Sequence, residues 1–267
     1  MPFTTTIEAI FVPLVRSPEA GIGLRQESWI SSHSSYRDRS DAAAQVSSGD
    51  SSTSMESLVF AMVPEPSVRI SDSPAPVAEQ ARALLGAHLT GHGVTIQVTE
   101  VEAYAGPDDP ASHAYTRTAR SEIMYGPPGR LYVYRIHGHH CANIVVHGPG
   151  PAAAVLLRAG EVIDGVELAR ARRGEARSTP VSDDRLASGP GNLCRALGIT
   201  MADLGTDLAD PDMPVTLDTS GRGPLPDLPV AAGPRVGVRR AADLAWRFFF
   251  DGHPTVSGYR RHPRAGA

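Results

Sequence analysis

The sequence predicts an α+β fold: a single domain with a mainly antiparallel, curved sheet and helices packed around it. Two observations carry this. Runs rich in β-branched and aromatic residues follow one another at short intervals, each bounded by Gly or Pro. Short sequential strands joined by turns pair antiparallel, while the few helical stretches carry their own terminal signals. No internal repeat and no strong second boundary interrupts residues 74–267.

In chain order, residues 1–73 are rich in serine, and the portion SSHSSYRDRSDAAAQVSSGDSSTS has no hydrophobic period. Such a segment cannot bury enough apolar surface to offset its ordering entropy, so a disordered N-terminal extension is expected. It reads first as dispensable, or as an upstream start with Met55 or Met62 as the working initiator, and second as a regulatory tail. Pro74-Ala75-Pro76 then opens a helix through about Leu85, with Ser73 as candidate N-cap and Gly86 as stop signal. Strands are expected at Val94 to Glu102, Arg130 to His137, Cys141 to His147 and Ala153 to Arg158. Helices are expected from Asp164 to about Arg173 and from Pro190 to Leu197, the second ended by Gly198. Weaker strands fall at Pro214 to Leu217, Arg235 to Val238 and Arg247 to Phe250.

Composition narrows the chemistry. All 25 basic residues are arginine. With no lysine, Schiff-base chemistry on a side chain is excluded, and only a terminal amine could perform it. Two cysteines, Cys141 and Cys194, do not make a disulfide framework, which points to a reducing, cytoplasmic setting. No stretch approaches the ~20 apolar residues needed to span a bilayer, so no membrane partner is expected. Net charge is −4, but residues 1–73 hold 5 arginines and 9 acids, leaving 20 of each in residues 74–267. A polyanion would have to be met by a local arginine patch.

The stretch with most chemistry is Val98 to His113, VTEVEAYAGPDDPASH. Period-2 geometry sets Glu100, Glu102 and Tyr104 on one strand face and Val101 and Ala103 on the other. The Gly106-Pro107-Asp108-Asp109-Pro110 turn can fold His113 back toward them. Taken alone, the stretch favours a half-exposed edge strand with solvated acids. Next, Leu131 to His137 alternates, so Tyr132 and Tyr134 share a face. They read first as half-buried packing groups and second as a stacking wall for a planar ligand. His137-Gly138-His139-His140-Cys141 suggests metal at first sight, but Gly138 makes a hairpin bend that splays the side chains, so no metal and no cofactor are expected. Ser188-Gly189-Pro190-Gly191 matches no nucleotide fingerprint and reads as a helix start capped by Ser188.

In series these pieces resemble the alkyladenine (3-methyladenine) DNA glycosylases over about residues 74–262. The resemblance rests on Glu102-Ala103-Tyr104 with its Gly-Pro turn and His113, Met124 to Gly129 running into Leu131 to Tyr134, Asn143, Leu156-Leu157-Arg158 and Ser188 to Gly191. Gly233 to Val238 and Val256 to Arg260 resemble that family's ending. It implies a glycosylase domain over 74–267: a monomeric, monofunctional base-excision enzyme, nucleoid-associated if bacterial. Such an enzyme flips alkylated purines out of double-stranded DNA and hydrolyses the N-glycosidic bond. By the same resemblance Glu102 would be the general base, with Arg158 beside the attacking water. Tyr104, His113 and Tyr134 would enclose the base, and Asn143 would disfavour guanine's exocyclic amine. His137 would be the wedge, where the family usually has tyrosine. Arg120, Ser188 and Gly189 would meet the DNA backbone. The chain departs from the family pattern at His137, in a following loop one residue short, at Arg120-Ser121 and at Asn192. Two rivals stand beside this reading: a lesion-binding protein of the same fold, and a metal-dependent hydrolase built on the His137 to His147 cluster.

Overall fold

The computed structural model describes residues 76–146, 151–174, 179–220 and 228–266. The expectations for residues 1–73, including the Ser73 cap, lie outside them. The first helix, α1 (Val77–Ala83), follows Pro76 and turns Val77, Gln80 and Ala81 inward. Its chain leaves through Gly86 at φ +81°, a conformation that glycine adopts without penalty. Strands β1 (His88–Gly91) and β2 (Val94–Tyr104) form the first hairpin. The second is β3 (Leu131–Ile136) and β4 (His139–Val146), and β5 (Ala153–Asp164) runs back antiparallel to both β4 and β2. Helices α2 (Val166–Gly174) and α3 (Pro190–Leu197) precede β6 (Val215–Asp218), β7 (Val230–Gly233) and β8 (Arg247–Phe250).

The sheet runs β3-β4-β5-β2-β1-β6, and β2 is its axis. One edge of β2 takes β5, while the other takes β1 along its first half and β8 at Glu100 to Glu102. Register with β5 shifts between Val98 and Glu100, the mark of a bulge. The bulge changes the phase of the strand: Val94, Ile96 and Val98 enter the main core before it, Val101 and Ala103 after it. Glu100, Glu102 and Tyr104 are thereby delivered together to the opposite face.

That division organises the molecule. One face of the sheet packs Leu131, Val133, Ile144, Val155 and Leu157 against helical residues such as Ala81, Ala169 and Leu193. The other carries a smaller apolar cluster that includes Met124, Tyr132 and Ala154. Pairing of Tyr132 with Asn143, Asn143 with Leu156, Leu156 with Glu102 and Glu102 with Arg247 lays these residues in one row across five strands. Residues abreast in a sheet share a face, so the row fixes a constellation without help from loops.

Three expectations are corrected. Strand β1 was not anticipated, because HLTG is too short to show a period. The strand expected at Arg235 to Val238 is absent: pairing with β8 stops at Gly233, and the next residues are drawn to buried acids described below. Ser188 does not cap α3. The N-cap position is Gly189 at φ +93°, and the Ser188 hydroxyl accepts a bond from Arg185 Nη1 at 3.2 Å. The helix itself spans Pro190–Leu197 as its Pro and Gly punctuation predicts, with Gly198 left-handed at its end.

Candidate active site

A cleft of ≈ 520 Å³ opens on the face of the sheet opposite the main core, with Glu102 and Arg158 at its floor. Glu102 is fully buried, which overturns the solvated-edge reading of its strand. Burying a carboxylate is costly unless donors surround it, and here they come from three segments. Tyr104 Oη donates to Oε2 at 2.8 Å, the Val236 amide donates to Oε1 at 2.7 Å, and Arg158 Nη1 stands 3.3 Å from Oε1. Arg158 is itself buried, and although burial disfavours its charge, Glu102 and Glu100 hold its proton more firmly than usual.

The walls are aromatic. Tyr132 and Tyr134 lie two apart on β3, and the chain after Gly106 returns His113 to them through two short 3-10 turns. Gly106 is required at the start of that return: its φ is +70°, and a Cβ there would stand 2.1 Å from the Ala152 carbonyl oxygen. His113 Nδ1 lies 2.9 Å from Tyr132 Oη, and its ring meets Tyr134 edge-on with centroids 4.6 Å apart. Burial, reinforced by the charge of Arg120, lowers the His113 pKa to about 4, so the imidazole is neutral through the physiological range. Burial also raises the Tyr104 and Tyr134 hydroxyls, with the Glu102 charge adding to both. They stay protonated, and Tyr104 remains a donor to Glu102. Asn143 completes the wall, its amide fixed by donation from Nδ2 to the Tyr132 carbonyl at 3.0 Å.

The structure thus gathers Glu102, Tyr104, His113, Tyr134, Asn143 and Arg158 around one cleft. Arg120 is exposed, and its guanidinium carbon lies 4.9 Å from the Tyr134 ring centroid, over the stacking face itself. His137, Ser188 and Gly189 do not line the cleft, whereas Ile136 and Pro190, their neighbours in sequence, do. His137 sits exposed at the tip of the β3–β4 hairpin at φ +47°, followed by Gly138 at +82°. Ser188 bridges to Ala159, next to Arg158. Among the described residues no three His, Cys, Asp or Glu side chains converge as a metal would require, and no helix is long and apolar enough to cross a membrane.

Sequence reasoning missed the residues that brace this floor. Asp109 is buried and accepts from Arg235 Nη1 at 2.5 Å and Nη2 at 2.9 Å, and the Arg235 guanidinium lies 4.7 Å from the Tyr104 ring centroid. This pair pulls the 235–236 backbone inward, which presents the Val236 amide to Glu102 and ends strand β7. Arg247 and Ser257 were missed as well, and both reach Glu100.

A carboxylate held in a pocket walled by tyrosines and rimmed by Arg239 and Arg240 is the equipment of a hydrolase that works on a flat ring carried by a polyanion. Comparison with known proteins narrows that class. The profile of methylpurine-DNA glycosylase matches residues 71–254. A protein of Mycolicibacterium paratuberculosis, provisionally named a 3-methyladenine DNA glycosylase, is 55% identical over 196 residues, covering 71% of this chain and 91% of its own. Proteins of Mycobacterium tuberculosis and Mycobacterium sp. with the same provisional name are 54% and 51% identical, covering 72% and 70% of this chain and 93% and 91% of theirs. The chain belongs to the methylpurine-DNA glycosylase family and is a DNA N-glycosylase.

Proposed function

We propose that this enzyme releases purines of the 3-methyladenine type from duplex DNA, acting as a monomer on a nucleotide flipped into the cleft. The observation that carries the reading is the fully buried Glu102, held between Tyr104 and Arg158 on the floor of an aromatic-walled pocket. Alkylation at N3 or N7 makes the nucleoside's purine cationic and weakens its glycosidic bond, so little leaving-group assistance is needed. Glu102 accepts a proton from water as the water oxygen bonds to C1′. The C1′–N9 bond breaks, and its electron pair neutralises the departing base. Arg158 orients that water beside the carboxylate.

The pocket suits a cation. The tyrosine faces attract one, the neutral His113 does not repel one, and Tyr134 already holds the planar Arg120 cation over its ring. Asn143, its amide fixed by donation to the Tyr132 carbonyl, lines the same wall and is the residue placed to disfavour guanine's amino group. The test is single-turnover release from duplexes that each carry 3-methyladenine, 7-methylguanine, hypoxanthine or ethenoadenine. Free base from the methylated duplexes, with no borohydride-trapped complex, is expected. Tight binding without release from any of them would leave a lesion-binding protein instead.

A further inference from the structure

Glu100 precedes Glu102 by two residues on the same face of β2, yet it lies behind the cleft and does not line it. It is fully buried, and both of its oxygens are engaged. Oε1 accepts from Arg158 Nε at 2.8 Å, from Arg247 Nε at 2.6 Å and from Ser257 Oγ at 3.0 Å, while Oε2 accepts the Ser257 amide at 2.7 Å. Burial alone would raise its pKa, but Arg158, Arg247 and the Ser257 amide overcome that and keep it an anion. Arg158 is thereby divided. Its Nε serves Glu100 and its Nη2 donates to Ser257 Oγ at 3.0 Å, leaving Nη1 at 3.3 Å from Glu102. That last distance exceeds the ~2.7–2.9 Å of a tight charge-assisted bond.

We infer that Glu100 is a positioning residue for the hydrolysis: by holding Arg158 at Nε it prevents that guanidinium from closing on Glu102 as a bidentate pair, and so leaves Glu102 free to take a proton from water. The inference rests on the glycosylase reading above. Without Glu100, Glu102 is the remaining carboxylate beside Arg158, and a buried guanidinium forks onto a carboxylate whenever geometry permits. A carboxylate paired in that way is a weaker base. The competing account is that Glu100 only neutralises Arg247 and pins the Ser257 segment, and the two accounts predict different behaviour.

The experiment measures single-turnover release of methylated purine from duplex DNA and the Kd for the lesion duplex. It compares wild type with Glu100→Gln, Ser257→Ala and the double variant Glu100→Gln/Arg247→Gln. Glu100→Gln is expected to slow release on the order of 100-fold while Kd stays within about threefold. Ser257→Ala removes one bond from each partner but no charge, so it should fold as wild type and slow release about fivefold. The double variant restores charge balance behind the cleft, and it should recover melting temperature without recovering rate. If Glu100→Gln does not fold, the double variant and Ser257→Ala decide the matter. Release within about threefold of wild type in Glu100→Gln, or recovered rate in the double variant, overturns the inference. Unchanged release in Ser257→Ala overturns it too, as does parallel loss of binding and rate. If wild type releases no methylated purine, the functional reading fails and takes this inference with it.

Discussion

At the scale of the residue, the proposed chemistry rests on Glu102, which is fully buried and has a donor on each oxygen. Glu102→Gln preserves shape and can still accept from the Val236 amide, but it cannot serve as the base. It should abolish base release and leave lesion-duplex binding in place. Turnover within about tenfold of wild type, ~1.4 kcal/mol of barrier, would refute the general-base role. His113 gives a second test. Its pKa is lowered to about 4 from an ordinary 6.5, so the unfolded chain binds a proton that the folded one refuses between those values. Folding stability should therefore decline as pH falls from about 6.5 toward 4. His113→Phe should lack that part of the decline. The measurements are the ring C2–H titration by NMR and melting temperature against pH; a His113 midpoint near 6.5 would show the pocket to be wetter than this geometry implies.

At the scale of the element, what was legible in the sequence is what local physics decides. The faces of β2 could be read because Val101 and Ala103 oppose Glu100, Glu102 and Tyr104. Helix α3 could be read because Pro190 and Gly198 punctuate it. Strand β1 has too few residues to show a period. The loop at Arg235 and Val236 could not be read because its partners, Asp109 and Glu102, lie more than a hundred residues upstream. The same holds for Arg247 and Ser257, whose importance appears only once Glu100 is beside them. The β3–β4 hairpin carries its own prediction. His137 stands at its exposed tip in a left-handed conformation, with a ring smaller than that of a tyrosine. If it fills the gap left by a flipped nucleotide, His137→Ala should slow excision from duplexes more than from single strands. His137→Tyr should keep duplex activity. Equal losses on both substrates for the alanine variant would shift attention to Ile136, which is 45% exposed and lines the cleft.

At the scale of the whole molecule, the family match, the core of the described residues and the cleft fall on the same stretch of chain. Among the described residues the main core cluster runs from Val77 to Phe248 and the cleft draws on residues from Glu102 to Arg240, while the family match begins at residue 71. Residues 1–73 carry 9 acids against 5 arginines and a long serine-rich stretch without hydrophobic period. A segment of that composition brings net negative charge to an enzyme whose substrate is a polyanion, so its electrostatic effect on DNA binding is weakly opposing and fades with salt. Removing residues 1–73 should accordingly leave melting temperature and single-turnover release nearly unchanged at physiological salt. At low salt it should tighten DNA binding slightly, because the deleted segment repels phosphate. A fall in melting temperature of more than a few degrees, or a loss of excision rate, would mean that the segment docks on the domain and belongs to the working enzyme.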